Sequence, residues 1–167
     1  MRAALIALAV CAVTESALAQ EPVGCDKFKW PLDQERAMLT AADVPSVSSG
    51  ASVTHALPVA VAVALVPFAE AKLPVAPERT PKSPTSFAGF VTLPAPSANG
   101  VYKISLSSEA WIDAVQDGHL VKSAAFSGAT GCDGIRKSVK FDLAAEPFAV
   151  QFSGVPAASI RIAVTRD

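Results

Sequence analysis

The second half of the chain alternates apolar and polar residues with a period of two, which is the pattern of β-strands. Tyr102, Ile104 and Leu106 fall on one side of the first such segment, with lysine and serine on the other side. The alternation recurs in residues 148–153 and 160–165. One apolar and one polar face favour an antiparallel sheet with one solvated side. A parallel sheet covered by helices is disfavoured, because its strands read as continuous apolar runs.

Segments of this kind recur along the chain and predict eight strands, at residues 59–66, 87–93, 101–107, 111–116, 119–126, 135–143, 148–153 and 160–165. Asp117-Gly118, between two of these segments, is a preferred pair for a tight β-hairpin turn. Short strands at this spacing are typical of sandwiches. The sequence therefore predicts a mainly all-β fold, an antiparallel β-sandwich of jelly-roll-like or immunoglobulin-like type, over residues 56–167.

The strand pattern of residues 100–165 resembles that of the small accessory sandwiches attached to secreted bacterial enzymes. These include pre-peptidase C-terminal domains and carbohydrate-binding modules. The resemblance implies a sandwich fold and an accessory role. It lies in a pattern and not in a motif, so no residue role is carried over from those families.

Residues 20–55 differ in character and are predicted to form an N-terminal segment with one short helix and a loop. The helix is expected within residues 28–42, where Asp33 and Glu35 favour the positive end of the helix dipole. The alternative for these two carboxylates is general acid-base chemistry, but residues two apart on a helix do not share a face. Serine and other small residues predict a loop over residues 44–54.

Residues 67–84 contain five of the thirteen prolines and are predicted to be extended. Proline lacks the amide hydrogen that a sheet ladder requires, so it is confined to edges, turns and loops. A loop or edge segment that wraps the sandwich is the expected structure. A polyproline ligand for another domain is the alternative, because two proline pairs in this segment have the required spacing.

The first nineteen residues have the pattern of a signal peptide, with Arg2 followed by an apolar run at residues 3–13. Ala17-Leu18-Ala19 places small residues where signal peptidase acts, so cleavage is expected before Gln20. Eleven apolar residues are too few for a helix that crosses a membrane, which needs about 20. The mature protein is therefore predicted to be periplasmic or secreted, with no membrane span.

Composition narrows the choice of partners. The chain has 167 residues, of which 51% are hydrophobic, and its formal net charge is −1 at pH 7. This length suits one domain of ordinary size. A balanced charge gives no general attraction to nucleic acid, and no nucleic-acid partner is expected. No cofactor-binding or metal-binding motif is found, so no cofactor is predicted.

Cleavage of the signal peptide would leave two cysteines, Cys25 and Cys132. Two cysteines in an exported protein most simply form one bond, and each lies between glycine and aspartate in turn-like sequence. We therefore predict a disulfide between them. A reactive or metal-binding thiol pair is the alternative, but no second cysteine or histidine stands at ligand spacing.

The best polar cluster in the sequence surrounds the predicted hairpin and contains Trp111, Asp113, Asp117 and His119. An aromatic ring beside carboxylates is a common arrangement in sugar-binding surfaces. Each residue also has a structural interpretation, with Asp117 in the turn and Trp111 in the core. The four residues are candidate binding residues, and no catalytic residue is proposed.

Three functions remain open. An exported, non-catalytic binding module for a glycan or an envelope protein is favoured, because sandwiches present loops and faces without catalytic groups. A structural or assembly accessory of the cell envelope is the first alternative. A small secreted enzyme is the second, although the sequence offers few convergent titratable groups.

Overall fold

The computed structural model describes residues 21–167 and shows an all-β sandwich of two sheets with one α-helix among these residues. The predicted signal peptide, residues 1–19, lies outside the described residues. The helix α1 spans Asp33–Thr40, and 3₁₀ turns lie at Cys25–Lys27 and Phe68–Glu70. The strands are β1 Ser46–Ser48, β2 Val59–Ala64, β3 Val66–Pro67, β4 Phe87–Leu93, β5 Gly100–Leu106, β6 Trp111–Gln116, β7 His119–Val121, β8 Ser123–Gly128, β9 Lys137–Leu143, β10 Phe148–Val155 and β11 Ser159–Arg166.

The two sheets are mainly antiparallel. The six-stranded sheet has the order β1-β2-β11-β5-β9-β8, and the five-stranded sheet has the order β3-β4-β10-β6-β7. Among the paired strands, β1 and β2 run parallel and the other pairs are antiparallel. The prediction of an antiparallel β-sandwich is therefore confirmed at the level of its class.

The core lies between the sheets and follows the predicted alternation. Tyr102, Ile104 and Leu106 are buried on the inner face of β5, and β10 contributes Phe148 and Phe152 from the opposite sheet. Each large apolar side chain that is fully buried stabilises the fold by about 1.5–3 kcal/mol relative to exposure. The alternation of apolar and polar residues in the sequence thus identifies the inner face of each sheet correctly.

The chain changes sheets at two positions that the sequence pattern does not mark. Residues 59–66, predicted as one strand, divide at Leu65 into β2 of one sheet and β3 of the other. Residues 119–126 divide in the same way at Lys122 into β7 and β8. Both sheets face the same core, and the alternation of buried residues continues through the Leu65 corner. The prediction of a loop at residues 44–54 is wrong in part, because β1 lies within it.

Both outer faces of the sandwich are covered in part by further chain, so the expected solvated face is only partly exposed. Helix α1 begins at Asp33 and covers the six-stranded sheet, where Leu32 and Leu39 belong to a cluster with Ile135 and Ala163. Small residues on the outer face, such as Ala163, let the helix approach the strands closely. Within residues 21–167, no helix has the length and apolar composition needed to cross a membrane.

The predicted disulfide is present. Cys25 and Cys132 are bonded, with their Cα atoms 4.8 Å apart. Cys25 lies in the first 3₁₀ turn, and Cys132 lies in the loop that joins β8 to β9. The bond therefore ties the segment that precedes α1 to one end of the six-stranded sheet.

Candidate functional site

Two of the four candidate residues, Trp111 and Asp113, meet on the outer face of the five-stranded sheet. They lie two positions apart on β6, so they share a face. The Trp111 Nε1 donates a hydrogen bond of 2.7 Å to Asp113 Oδ1. Gln151, directly opposite Asp113 on β10, donates from Nε2 to Asp113 Oδ2 at 3.0 Å. The Asp113 residue is only 5% exposed.

A proline-rich strap, defined as residues 71–84, crosses over this cluster. The Glu78 amide donates to Asp113 Oδ2 at 3.3 Å, and the Val75 amide donates to Gln151 Oε1 at 3.4 Å. An extended segment has free amides because it has no ladder of its own. The Asp113 carboxylate and the Gln151 side-chain amide therefore bind the strap backbone. The strap occupies the surface that the sequence suggested for a ligand.

Two cations lie over the Trp111 indole. The Arg79 guanidinium carbon is 4.2 Å from the ring centroid, and Lys137 Nζ is 5.1 Å from it. Lys137 Nζ also donates to the Ala110 carbonyl oxygen at 3.0 Å, and burial of this ammonium group lowers its pKa. A sugar ring that stacked on the indole would compete with these cations.

The other two candidates, Asp117 and His119, lie in the β6–β7 hairpin. Asp117 and Gly118 have φ angles of 48° and 72°, so the predicted tight turn is present. His119 Nδ1 lies 2.7 Å from the Asp117 carbonyl oxygen and donates to it. Both residues are exposed. They are at the opposite end of β6 from Trp111, so the four residues form two separate pairs, and their binding role stays a prediction.

The structure also shows an exposed aromatic residue at the end of the strand predicted at residues 119–126. Phe126 is 62% exposed on β8, which pairs with β9 and is the outermost strand of the six-stranded sheet. Lys29 Nζ lies 5.0 Å from the centroid of its ring. By register Phe126 is opposite the buried Val139. An apolar residue on an edge strand looks identical in sequence to one in a central strand.

Cavities in the described part of the chain are small. One of about 330 Å³ is formed by the strap and the turn before it, lined by Phe68, Ala71, Leu73, Pro74, Val75, Ala76 and Pro77. Another of about 200 Å³ lies at the end of the six-stranded sheet, lined by Gln34, Leu57, Pro58, Ser97, Tyr102 and Arg166. Across residues 21–167, no three histidine, cysteine or acidic side chains are grouped so that they could hold a metal ion.

No protein-family model matches this chain, and no curated protein or solved structure matches it. The candidate sites are therefore judged on their own chemistry.

Replacing Asp113 with alanine is expected to loosen the strap. The change removes the acceptor of three donors, two of which are side chains beneath the strap, and each buried donor left unpaired costs about 1–3 kcal/mol. Trypsin should then cleave faster after Lys72, Arg79 and Lys82, the basic residues of the strap. Limited proteolysis followed by mass spectrometry measures this rate.

The control is Asp142→Ala, which removes an exposed carboxylate from β9. That variant should be cleaved at the wild-type rate. Equal rates for both variants would contradict the role assigned to Asp113.

Proposed function

We propose that the protein is an exported, non-catalytic binding module that recognises a protein partner of the cell envelope through its β8 edge. The β8 edge is the side of β8 (Ser123–Gly128) that faces away from β9. The signal-peptide pattern of residues 1–19 supports export, and the Cys25–Cys132 disulfide fits an oxidising compartment.

The exposed Phe126 on the β8 edge carries this proposal. The strap and α1 cover parts of the two broad outer faces, and β8 is an outermost strand of the six-stranded sheet. An edge strand presents backbone donors and acceptors that another strand can complete. Large exposed aromatic side chains are frequent at the centre of protein interfaces. Backbone pairing together with an apolar contact favours a polypeptide over a glycan.

The test is capture of a partner from an envelope fraction by the mature protein and by Phe126→Ser. Removal of an interface aromatic at the centre of a contact is expected to weaken capture by at least about tenfold. The matched control is Ala157→Ser, an exposed residue in the β10–β11 turn, separated from β8 by β5 and β9. This control should capture the partner as well as the wild type does.

A glycan array run in parallel separates the two binding classes. A saturable glycan signal that Phe126→Ser does not change would move the function from protein recognition to sugar recognition. Capture of one partner equally by the wild type and by Phe126→Ser would remove the β8 edge from the function.

A further inference from the structure

The hydrogen-bonding direction of β8 can be read from the residue that follows it. The Ala129 amide donates to the Arg136 carbonyl oxygen at 3.3 Å, so this position faces the chain that leads into β9. Backbone groups alternate in direction along a regular antiparallel strand. Ala125 and Ser127 therefore face β9, while Phe126 and Gly128 direct their backbone groups toward the β8 edge. A β-bulge between Ser123 and Ala125 interrupts the alternation before this point. Within residues 21–167, no second strand pairs with β8 on the side that faces away from β9.

Residues 22–24 of the chain form backbone hydrogen bonds with Thr130, the next residue that faces this side. The Thr130 amide donates to the Pro22 carbonyl oxygen at 2.9 Å, and the Gly24 amide donates to the Thr130 carbonyl oxygen at 2.8 Å. Val23 and Thr130 form a parallel bridge. An extended segment in parallel orientation is thus already accommodated beside Thr130, in line with Phe126 and Gly128. The β8 edge continues directly from this contact.

Two lysines flank the β8 edge. Lys29 lies over Phe126, and Lys122 is exposed immediately before β8. Within residues 21–167, neither ammonium group has a carboxylate within 4.0 Å. The chain's own segment is held beside this edge by an acid, since Glu21 pairs with Arg136. Lysine on an edge opposes pairing with a second copy, because that arrangement brings like charges together.

We propose that the β8 edge binds an extended acidic segment of a partner protein, which adds to β8 as a parallel strand. This inference rests on the proposed function and names the chemistry of the partner. The partner backbone forms hydrogen bonds with Phe126 and Gly128, and its apolar side chains pack on the Phe126 ring. Its carboxylates pair with Lys29 and Lys122. Strand addition gives affinity through main-chain bonds, and side chains give specificity.

The test uses three blocked eight-residue peptides that alternate valine with glutamate, lysine or serine. Each is titrated into the isotopically labelled mature protein, and amide chemical shifts are followed by nuclear magnetic resonance. The glutamate peptide is expected to perturb the amides of Phe126 and Gly128. It should bind about tenfold more tightly than the lysine peptide at low salt, and this preference should shrink in 0.5 M salt, where the Debye length is about 4 Å.

Two pairs of variants sharpen the result. Phe126→Pro removes an amide from the β8 edge and leaves the amides that face β9, so it should abolish binding, whereas Phe126→Leu keeps both the amide and an apolar side chain and should not. Proline is tolerated where the amide of an edge strand faces solvent. Lys29→Ala should weaken the glutamate peptide several-fold, whereas Lys27→Ala, which removes an exposed lysine paired with Asp26, should not. Unchanged dispersion of the remaining amide signals shows that each variant is folded.

Each contrary outcome is distinct. Equal binding of the glutamate and lysine peptides, or no perturbation by any peptide, overturns the acidic-strand inference, while loss of partner capture by Phe126→Ser still supports the proposed function. Failure of both experiments removes the β8 edge from binding altogether. A concentration-dependent dimer that perturbs the amides of Phe126 and Gly128 without peptide would show that a second copy is the occupant.

Discussion

Replacing Glu35 with alanine is expected to lower the free energy of unfolding by about 3–5 kcal/mol. The Glu35 side chain is 1% exposed and pairs with Lys103 Nζ at 2.8 Å. Its Oε1 also accepts a hydrogen bond from the Thr165 hydroxyl. Lys103 and Thr165 are directly opposite each other on β5 and β11, so one carboxylate joins α1 to the middle of the six-stranded sheet. Its removal leaves a nearly buried ammonium group without a counter-charge.

Urea unfolding followed by circular dichroism measures this effect. Asp33→Ala removes an exposed carboxylate from the same helical turn and should change stability by less than about 0.5 kcal/mol. The double variant Glu35→Leu with Lys103→Met should recover most of the loss, because apolar side chains of similar volume replace both buried charges. Equal midpoints for Glu35→Ala and Asp33→Ala would contradict the role of the buried pair.

Glu35 also shows where sequence reasoning reaches its limit. The spacing of Asp33 and Glu35 correctly indicates that they lie on different faces of a helix, and the structure leaves one exposed and buries the other. Sequence alone predicted only favourable interaction with the helix dipole for both. The difference arises from Lys103 and Thr165, which are distant in the chain and reach Glu35 only when the helix docks on the sheet.

The inner faces of the sandwich were predictable because burial imposes a period of two on each strand. Ile104, Phe141 and Ile162, on three neighbouring strands, are all buried as the alternation requires. The sheet to which each strand belongs was not predictable. A segment that passes from one sheet to the other contacts the same core in both. Lys122 marks one such corner, but a single lysine within an alternating run does not distinguish a corner from a solvated position.

The candidate binding cluster was predictable in part. The spacing of Trp111 and Asp113 places them on one face of β6, and the structure joins them by a hydrogen bond. The Glu78 amide reaches Asp113 only because of the path that the strap takes across the sheet. The local sequence pattern does not predict this path. Phe126 was not identified from the sequence, because it is only the last residue of the strand predicted at residues 119–126, and its exposure follows from the outermost position of β8.

Loss of the disulfide is expected to have the second largest effect on stability. Replacing Cys25 and Cys132 together with serine should lower the free energy of unfolding by about 2–5 kcal/mol, because the bond closes a loop of 107 residues. This corresponds to a fall of roughly 5–15 °C in the unfolding midpoint for a domain of this size. Differential scanning calorimetry measures it, and the far-ultraviolet spectrum of the folded protein should be largely unchanged.

Two further measurements identify the bond as the cause. Titration of the denatured, unreduced mature protein should find no free thiol, and reduction of the wild type should reproduce the midpoint of the double variant. Two free thiols per chain would show that the bond is absent. A dimer that dissociates on reduction would show that the two cysteines pair between chains.

Hydrogen exchange should show that part of this destabilisation is local. Without the bond, the segment before α1 is still held by the Gly24–Thr130 hydrogen bond and by Lys29, whose amide donates to Ser127 Oγ at 2.9 Å. Both contacts lie near the exposed end of the sheet, where a tether of the chain terminus suppresses fraying. Amides of residues 24–40 are therefore expected to gain more exchange than those of the central strands β5 and β10. A uniform increase across the molecule would instead indicate that the bond acts only through the unfolded chain.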